Sequence, residues 1–146
     1  MSSSATASRT VVTFRLDGLR CALPLEQVEE AVAMPAITPL PRVSKQVLGM
    51  INLHGLSCPV IDLRRALELP PAPILPEQHL LIVRIGGRLL AAPADQVDGV
   101  LSAVPKALPL ARRQTSLIQG VITTEDGSVL LLDFDRAVQQ LEEVAA

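Results

Sequence analysis

The sequence predicts an all-β fold: two pseudo-repeated five-stranded small barrels, SH3-like or OB-like, packed together, with a short helix after each repeat and a C-terminal helix. Three observations lead there. The chain lines up with itself, since "RLDGLRCALPLEQVEEAV" (15–32) matches "RIGGRLLAAPADQVDGVL" (84–101) at an offset of 69 residues. Further on, Pro35 and Pro39 match Pro105 and Pro109 at 70, and Gly49, Ile51, Ser57 and Asp62 match Gly120, Ile122, Ser128 and Asp133 at 71. Each copy is made of short β-type runs punctuated by turn dipeptides, with no long helical period. Five strands per copy are too few for a large open sheet, whereas a small barrel closes its own edges.

Residues 1–8, "MSSSATAS", read as a disordered leader without the apolar segment a secretory signal requires. The first copy places strands near 10–16, 19–23, 28–34, 47–53 and 56–61, and the second near 79–85, 88–92, 97–103, 118–124 and 128–133. Asp17-Gly18, Gly86-Gly87 and Asp126-Gly127 supply positive φ at tight hairpins, and His54-Gly55 occupies the comparable turn. "DLRRALEL" then puts Leu63, Ala66 and Leu67 on one helical face, and "DFDRAVQQL" repeats the pattern with Phe134, Ala137, Val138 and Leu141. Between the copies, "PPAPILPEQ" (70–78) carries four prolines that cannot join a ladder and reads as a hinge. The expected organisation is a single domain over 9–146 made of two subdomains, about 9–78 and 79–146, intertwined.

Composition narrows the function more than it names it. A chain of 146 residues at 49% hydrophobic content can bury a core, and no apolar run reaches the roughly 20 residues of a membrane span. The chain therefore reads as soluble and cytoplasmic, with no direct membrane insertion. A net charge of -2 offers no field for phosphates, and two Phe with no Trp or Tyr leave almost nothing for bases to stack on. Nucleic acid is thereby disfavoured as a partner. Cys21 and Cys58 each lie inside an apolar run and read as buried, reduced thiols, too few for a zinc site.

Reactive readings find little support. Asp62 and Asp133 form a conceivable acid–base pair, yet each stands directly before a helix pattern at the same point of the repeat, which favours structural capping. His54 reads as a general base or ligand only in isolation; beside a hairpin Gly with no ligand partner at useful spacing, a turn residue is the simpler reading. His79 opens a strand. Cys58, between apolar neighbours, lacks the cation or helix N-terminus that activates a thiol. Arg64-Arg65 and Arg112-Arg113 read as solvated faces or as a greeting for an acidic partner. No catalytic residue, metal or cofactor is expected, and an interaction module remains.

The motifs "FRLDGLRCALPLEQVEEAV", "ITPLPRV", "VLGMINLHGLSCPVIDLRRAL" and "GVITTEDGSVLLLDFDRAV", in this order over about residues 9–142, resemble the CheW family of chemotaxis coupling proteins. The resemblance implies two intertwined five-stranded barrels acting as a non-enzymatic adaptor between chemoreceptors and a CheA-type histidine kinase. The groove between the barrels would grip the cytoplasmic helical tip of a receptor, at positions matching Val28, Gly49 and Leu80, and another face would dock the kinase regulatory domain. The coupling turn would comprise Glu30, Asn52, Leu53, His54, Gly55 and Leu56, with Leu53 and Leu56 as its exposed aliphatic patch. Family members usually carry Arg where this chain has His54, and the Glu that pairs with it survives as Glu30. An approach of His54 to Glu30 would raise the His pKa and make docking pH-sensitive; drift toward a scaffold for other partners in a non-flagellar pathway is the alternative.

Overall fold

A computed structural model describes residues 7–39, 47–108 and 117–136. In chain order it contains β1 (Arg9–Leu16), β2 (Leu19–Pro24), β3 (Val28–Ala33), β4 (Val47–Leu53), β5 (Leu56–Ile61), α1 (Leu63–Ala66), β6 (His79–Ile85), β7 (Arg88–Ala94), β8 (Gln96–Ala103), β9 (Lys106–Ala107), β10 (Ile118–Thr124) and β11 (Gly127–Leu132). Ten of these strands lie within about two residues of their expected positions; the sequence reading missed β9 and a single 3-10 turn at Leu25–Gln27. Residues 134–136 begin a second helix. Its expected continuation to Leu141, the C-terminal helix, the first six leader residues and Arg112-Arg113 lie outside the described residues.

The strands form two sheets in the orders β8-β1-β2-β11-β10-β9 and β3-β6-β7-β5-β4. Each sheet draws strands from both copies. The first takes β1 and β2 from one copy and β8 to β11 from the other, joined by a parallel ladder that sets Cys21 beside Leu130 and Ala22 beside Leu131. The second takes β3 to β5 and β6 to β7, joined through Val60 and Ala91.

Both sheets curl back on themselves. In the first, β8 at one end runs through Val104 and Pro105 directly into β9 at the other end, where Ala107 and Lys106 pair with Gly120 and Val121. In the second, the chain leaving β3 reaches across to β4 at Thr38, which exchanges two 2.9 Å hydrogen bonds with Met50. The two bodies are called here the β1 barrel and the β4 barrel.

Three apolar layers follow from the period-2 alternation of side chains. Val11, Ala22, Ile122, Val129 and Leu131 fill the β1 barrel, and Ile51, Leu53, Cys58, Val60, Leu80, Ile82 and Ala91 fill the β4 barrel. Between them lies the largest cluster, in which Phe14, Leu16, Cys21 and Leu23 meet Leu81, Val83, Ile85, Leu90 and Ala92. Strands β2, β6, β7 and β11 send side chains into both layers, which explains their nearly unbroken apolar runs. Leu63 of α1 and Phe134 plug the same central layer.

The turns at Asp17-Gly18, His54-Gly55 and Gly86-Gly87 all have positive φ at both positions, the geometry that suits the strand twist of a two-residue hairpin. The fourth hairpin differs from expectation. It turns on Glu125-Asp126, and only Gly127, already in β11, has positive φ; with no glycine inside the loop, the special conformation moves to the first strand residue.

Candidate functional site

The β4–β5 hairpin carries an exposed aliphatic side chain, Leu56, beside its turn. Asn52 folds its side chain over the loop and accepts from the Gly55 N–H at 2.9 Å, which braces a turn whose first residue, His54, sits at φ 52. His belongs to the few non-glycine residues that visit this region with any frequency. The braced turn holds the imidazole over β3, where His54 Nε2 lies 3.4 Å from Glu30 Oε2. Because β3 and β4 are the two ends of one sheet, this pair spans the seam of the β4 barrel. Both partners are exposed, His54 at 76% and Glu30 at 42%, so water screens the contact and its worth to stability is small. The turn offers a hydrogen-bonding rim beside an apolar surface, supplied by Leu56 at 58% exposure.

Leu53 corrects the expected patch. It is only 8% exposed and packs into the β4 barrel with Ile51 and Cys58. Strand alternation sends it inward, and the two-residue turn then brings Leu56 opposite it while leaving that side chain in solvent.

Val28, Gly49 and Leu80 are not gathered on one face. Val28, half-buried at the start of β3, packs against the central layer, whereas Leu80 is fully buried inside the β4 barrel, on the opposite side of the same sheet. Gly49 sits at a bulge in β4 with φ 155, and a side chain there would collide with the Thr38 carbonyl and come within 2.7 Å of Ile37 Cγ2. Its absent side chain is what lets the chain after β3 reach β4.

Asp62 caps α1, its Oδ1 accepting from the Arg65 N–H at 3.3 Å, and Asp133 Oδ1 accepts from the Arg136 N–H at the same distance. Both carboxylates are thus engaged by backbone donors. Cys21 and Cys58 are unpaired and buried in different layers; burial pushes the Cys21 thiol up to about 12 and Cys58 upward as well. Among the described residues, no group of three or more His, Cys, Asp or Glu side chains could hold a metal ion.

The sequence reading missed a polar cluster where the chain crosses between barrels. Asp95, between β7 and β8, accepts from the Asp17 N–H at 2.7 Å, from Gln78 Nε2 at 2.8 Å and from Arg64 Nη2 at 3.3 Å. Burial alone would raise this carboxyl, but the Asp17, Gln78 and Arg64 donors outweigh it and hold Asp95 below its ordinary value. Arg64, with a side chain 15% exposed, also reaches Asp17 Oδ1 and the Pro70 carbonyl, both at 3.4 Å. It is therefore no solvated face. The repeat held one signal: an acid-Gln-Val triplet recurs as Glu26-Gln27-Val28 and Asp95-Gln96-Val97.

Comparison with known proteins agrees with this architecture. The family model described as "CheW-like domain" matches residues 10–142. "Chemotaxis protein CheW" of Rhizobium meliloti (strain 1021) is 22% identical over 143 residues, covering 94% of this chain and 92% of the relative. "Protein FrzA" of Myxococcus xanthus is 32% identical over 107 residues, covering 73% and 66%. Among solved structures, the scaffolding protein TtCheW from Thermoanaerobacter tengcongensis superposes with a TM-score of 0.79 at 23% identity, over 87% of this chain and 90% of that one.

Proposed function

The chain belongs to the CheW-like domain family, and we propose that it is an adaptor of bacterial chemosensory signalling, coupling the cytoplasmic tips of chemoreceptors to the regulatory domain of a CheA-type histidine kinase. The observation that carries the reading is the extent of the family match, from residue 10 to residue 142, which takes in both barrels and the seam between them. The curated relatives named for chemotaxis support it. It acts without catalysis of its own, on the cytoplasmic side of the membrane; no helix among the described residues is long and apolar enough to cross one.

The kinase-docking turn in this proposal is the β4–β5 hairpin, with Leu56 as apolar anchor and His54, Glu30 and Asn52 as its polar rim. Exposed aliphatic surface beside fixed polar groups is the usual composition of a docking patch. The receptor helix lies along the inter-barrel groove near Val28, an amphipathic helix in an apolar trough. Gly49 and Leu80 act there from behind, by shaping the β4 barrel wall.

A second reading, a CheW-like scaffold serving other partners in a non-flagellar pathway, is favoured by one feature: His54 stands where the family pattern has a permanent cation. Calorimetric titration of the native protein and of His54→Arg against a CheA-type regulatory domain and a receptor cytoplasmic fragment decides between them. Binding of both partners supports the adaptor, and tighter kinase binding by His54→Arg marks the native turn as a weakened contact. Binding of neither by native protein or by His54→Arg rejects coupling.

A further inference from the structure

We propose that Asp95, with Arg64 and Gln78, is a positioning clasp that fixes the angle between the two barrels, and with it the spacing of the walls between which the adaptor reading seats the receptor helix. The inference deepens the adaptor reading and rests on it only for its binding arm. The large apolar layer between the sheets holds the barrels together, but burial of apolar surface is non-directional and tolerates sliding. A forked cation and a carboxylate have fixed geometry, and such a network selects one arrangement among those that bury similar area.

The placement of the cluster gives it this role. Asp95 is the residue at which the chain passes from β7 in the β4 barrel to β8 in the β1 barrel, and its own N–H is held by the Arg15 carbonyl of β1 at 2.9 Å. Its carboxylate gathers one donor from the β1–β2 turn (Asp17), one from α1 behind β5 (Arg64) and one from the residue before β6 (Gln78). Each barrel thus contributes to a single group. The clasp also straps down the crossing segment between the copies, because Arg64 holds the Pro70 carbonyl and Gln78 Oε1 accepts from the Leu75 N–H at 2.8 Å. Beneath the strap a cavity of about 20 Å³, lined in part by Asp62, Arg64, Ile74 and Pro93, has room for one water and no ligand.

The test measures the angle directly. Ser57 in the β4 barrel and Ser128 in the β1 barrel are both exposed, while the native thiols are buried. Nitroxides on Ser57→Cys and Ser128→Cys therefore report one inter-barrel distance distribution by pulsed electron paramagnetic resonance. With the clasp intact the distribution is single and narrow. Asp95→Ala and Arg64→Leu at least double its width while circular dichroism shows both barrels folded, and Arg64→Lys, which keeps the charge but not the fork, broadens it less. Should either main variant fail to fold, Gln78→Leu, which removes one donor to Asp95 together with the hold on Leu75, still broadens it. An unchanged width in the folded variants overturns the proposal. In the binding arm, receptor-fragment affinity falls five-fold or more in the broadened variants, while affinity for the kinase regulatory domain at the β4–β5 turn changes less than two-fold; loss of receptor binding without broadening also overturns the clasp. If the native protein binds neither partner, the adaptor reading fails while the spin-label distances still decide the clasp.

Discussion

Gly49 and Gly120 occupy the same position of the two copies, yet replacing each by alanine has unequal consequences. At Gly49 the backbone has φ 155, and a Cβ would overlap the Thr38 carbonyl and stand 2.7 Å from Ile37 Cγ2. To make room, the chain after β3 must retreat and give up both hydrogen bonds between Thr38 and Met50. Two such bonds contribute about 1 kcal/mol each, and holding a residue with a side chain at this φ adds on the order of 1–3 kcal/mol. The expected destabilisation is about 3 kcal/mol, or roughly 10 °C in melting temperature for a domain of this size. At Gly120 there is no positive φ and the nearest atom, the Lys106 carbonyl, is 3.0 Å from the added Cβ, so a shift of a few tenths of an ångström suffices. The expected cost there is about 1 kcal/mol, or roughly 3 °C. Urea unfolding with unchanged m-value measures both, and amide exchange at Thr38 and Met50 shows whether the crossing strand has let go. If Gly49→Ala melts within about 2 °C of Gly120→Ala, closure of the β4 barrel does not depend on this contact and the argument fails.

Leu53 and Leu56 face each other across one hairpin, and their alanine variants separate core from surface: Leu53→Ala costs about 2–4 kcal/mol in a denaturant titration, whereas Leu56→Ala stays within about 0.5 kcal/mol and shows its loss only in binding to the kinase regulatory domain. Asp95 titrates lower in the folded chain than in the unfolded one. Its contribution to stability is therefore complete above the ordinary aspartate value of 3.8 and is lost as pH falls through the depressed folded value. Acid unfolding followed by circular dichroism should be shallower below that pH in Asp95→Asn, and an identical acid limb would remove Asp95 from the list of linked groups. Cys21 and Cys58, raised by burial, should resist a neutral thiol reagent in native protein at pH 8 and react within minutes in urea.

The strands were legible because β2, β6, β7 and β11 are buried on both faces and their apolar runs are bounded by turn dipeptides. Strand β9 was not, since Lys106 and Ala107 have no pattern of their own and pair only because β8 delivers them to the far end of the sheet. The turn at His54 could be read from its Gly neighbour, but the burial of Leu53 depends on which strand face the barrel closes around. Beyond the repeated acid-Gln-Val triplet, the Asp95 cluster could not be read for a related reason. Its members stand at 17, 64, 78 and 95, each ordinary in its own segment, and only the exchange of strands between copies brings them to one place.

That exchange also separates what the repeat conserves internally from what it does not. Arg15 pairs with Asp98 at 3.1 Å and Arg84 with Glu29 at 2.5 Å, and these two ion pairs map onto each other at the repeat offset of 69. Each ties the first strand of one copy to the third strand of the other, so the same restraint seals both barrels. At the next position the symmetry breaks: Glu30 faces His54, while its counterpart is Gly99, whose vicinity is open. At the crossings the pairing is kept but changes character: Gln78 and Asp95 meet at 2.8 Å with Arg64 behind them, while their counterparts Arg9 and Glu26 form an exposed ion pair at 3.7 Å. A restraint that both copies keep is one the barrel itself needs. The His54–Glu30 pair and the Arg64 backing of Asp95 each occur in one copy only, so they are the contacts by which the two barrels differ, and the proposed docking turn and clasp both fall there.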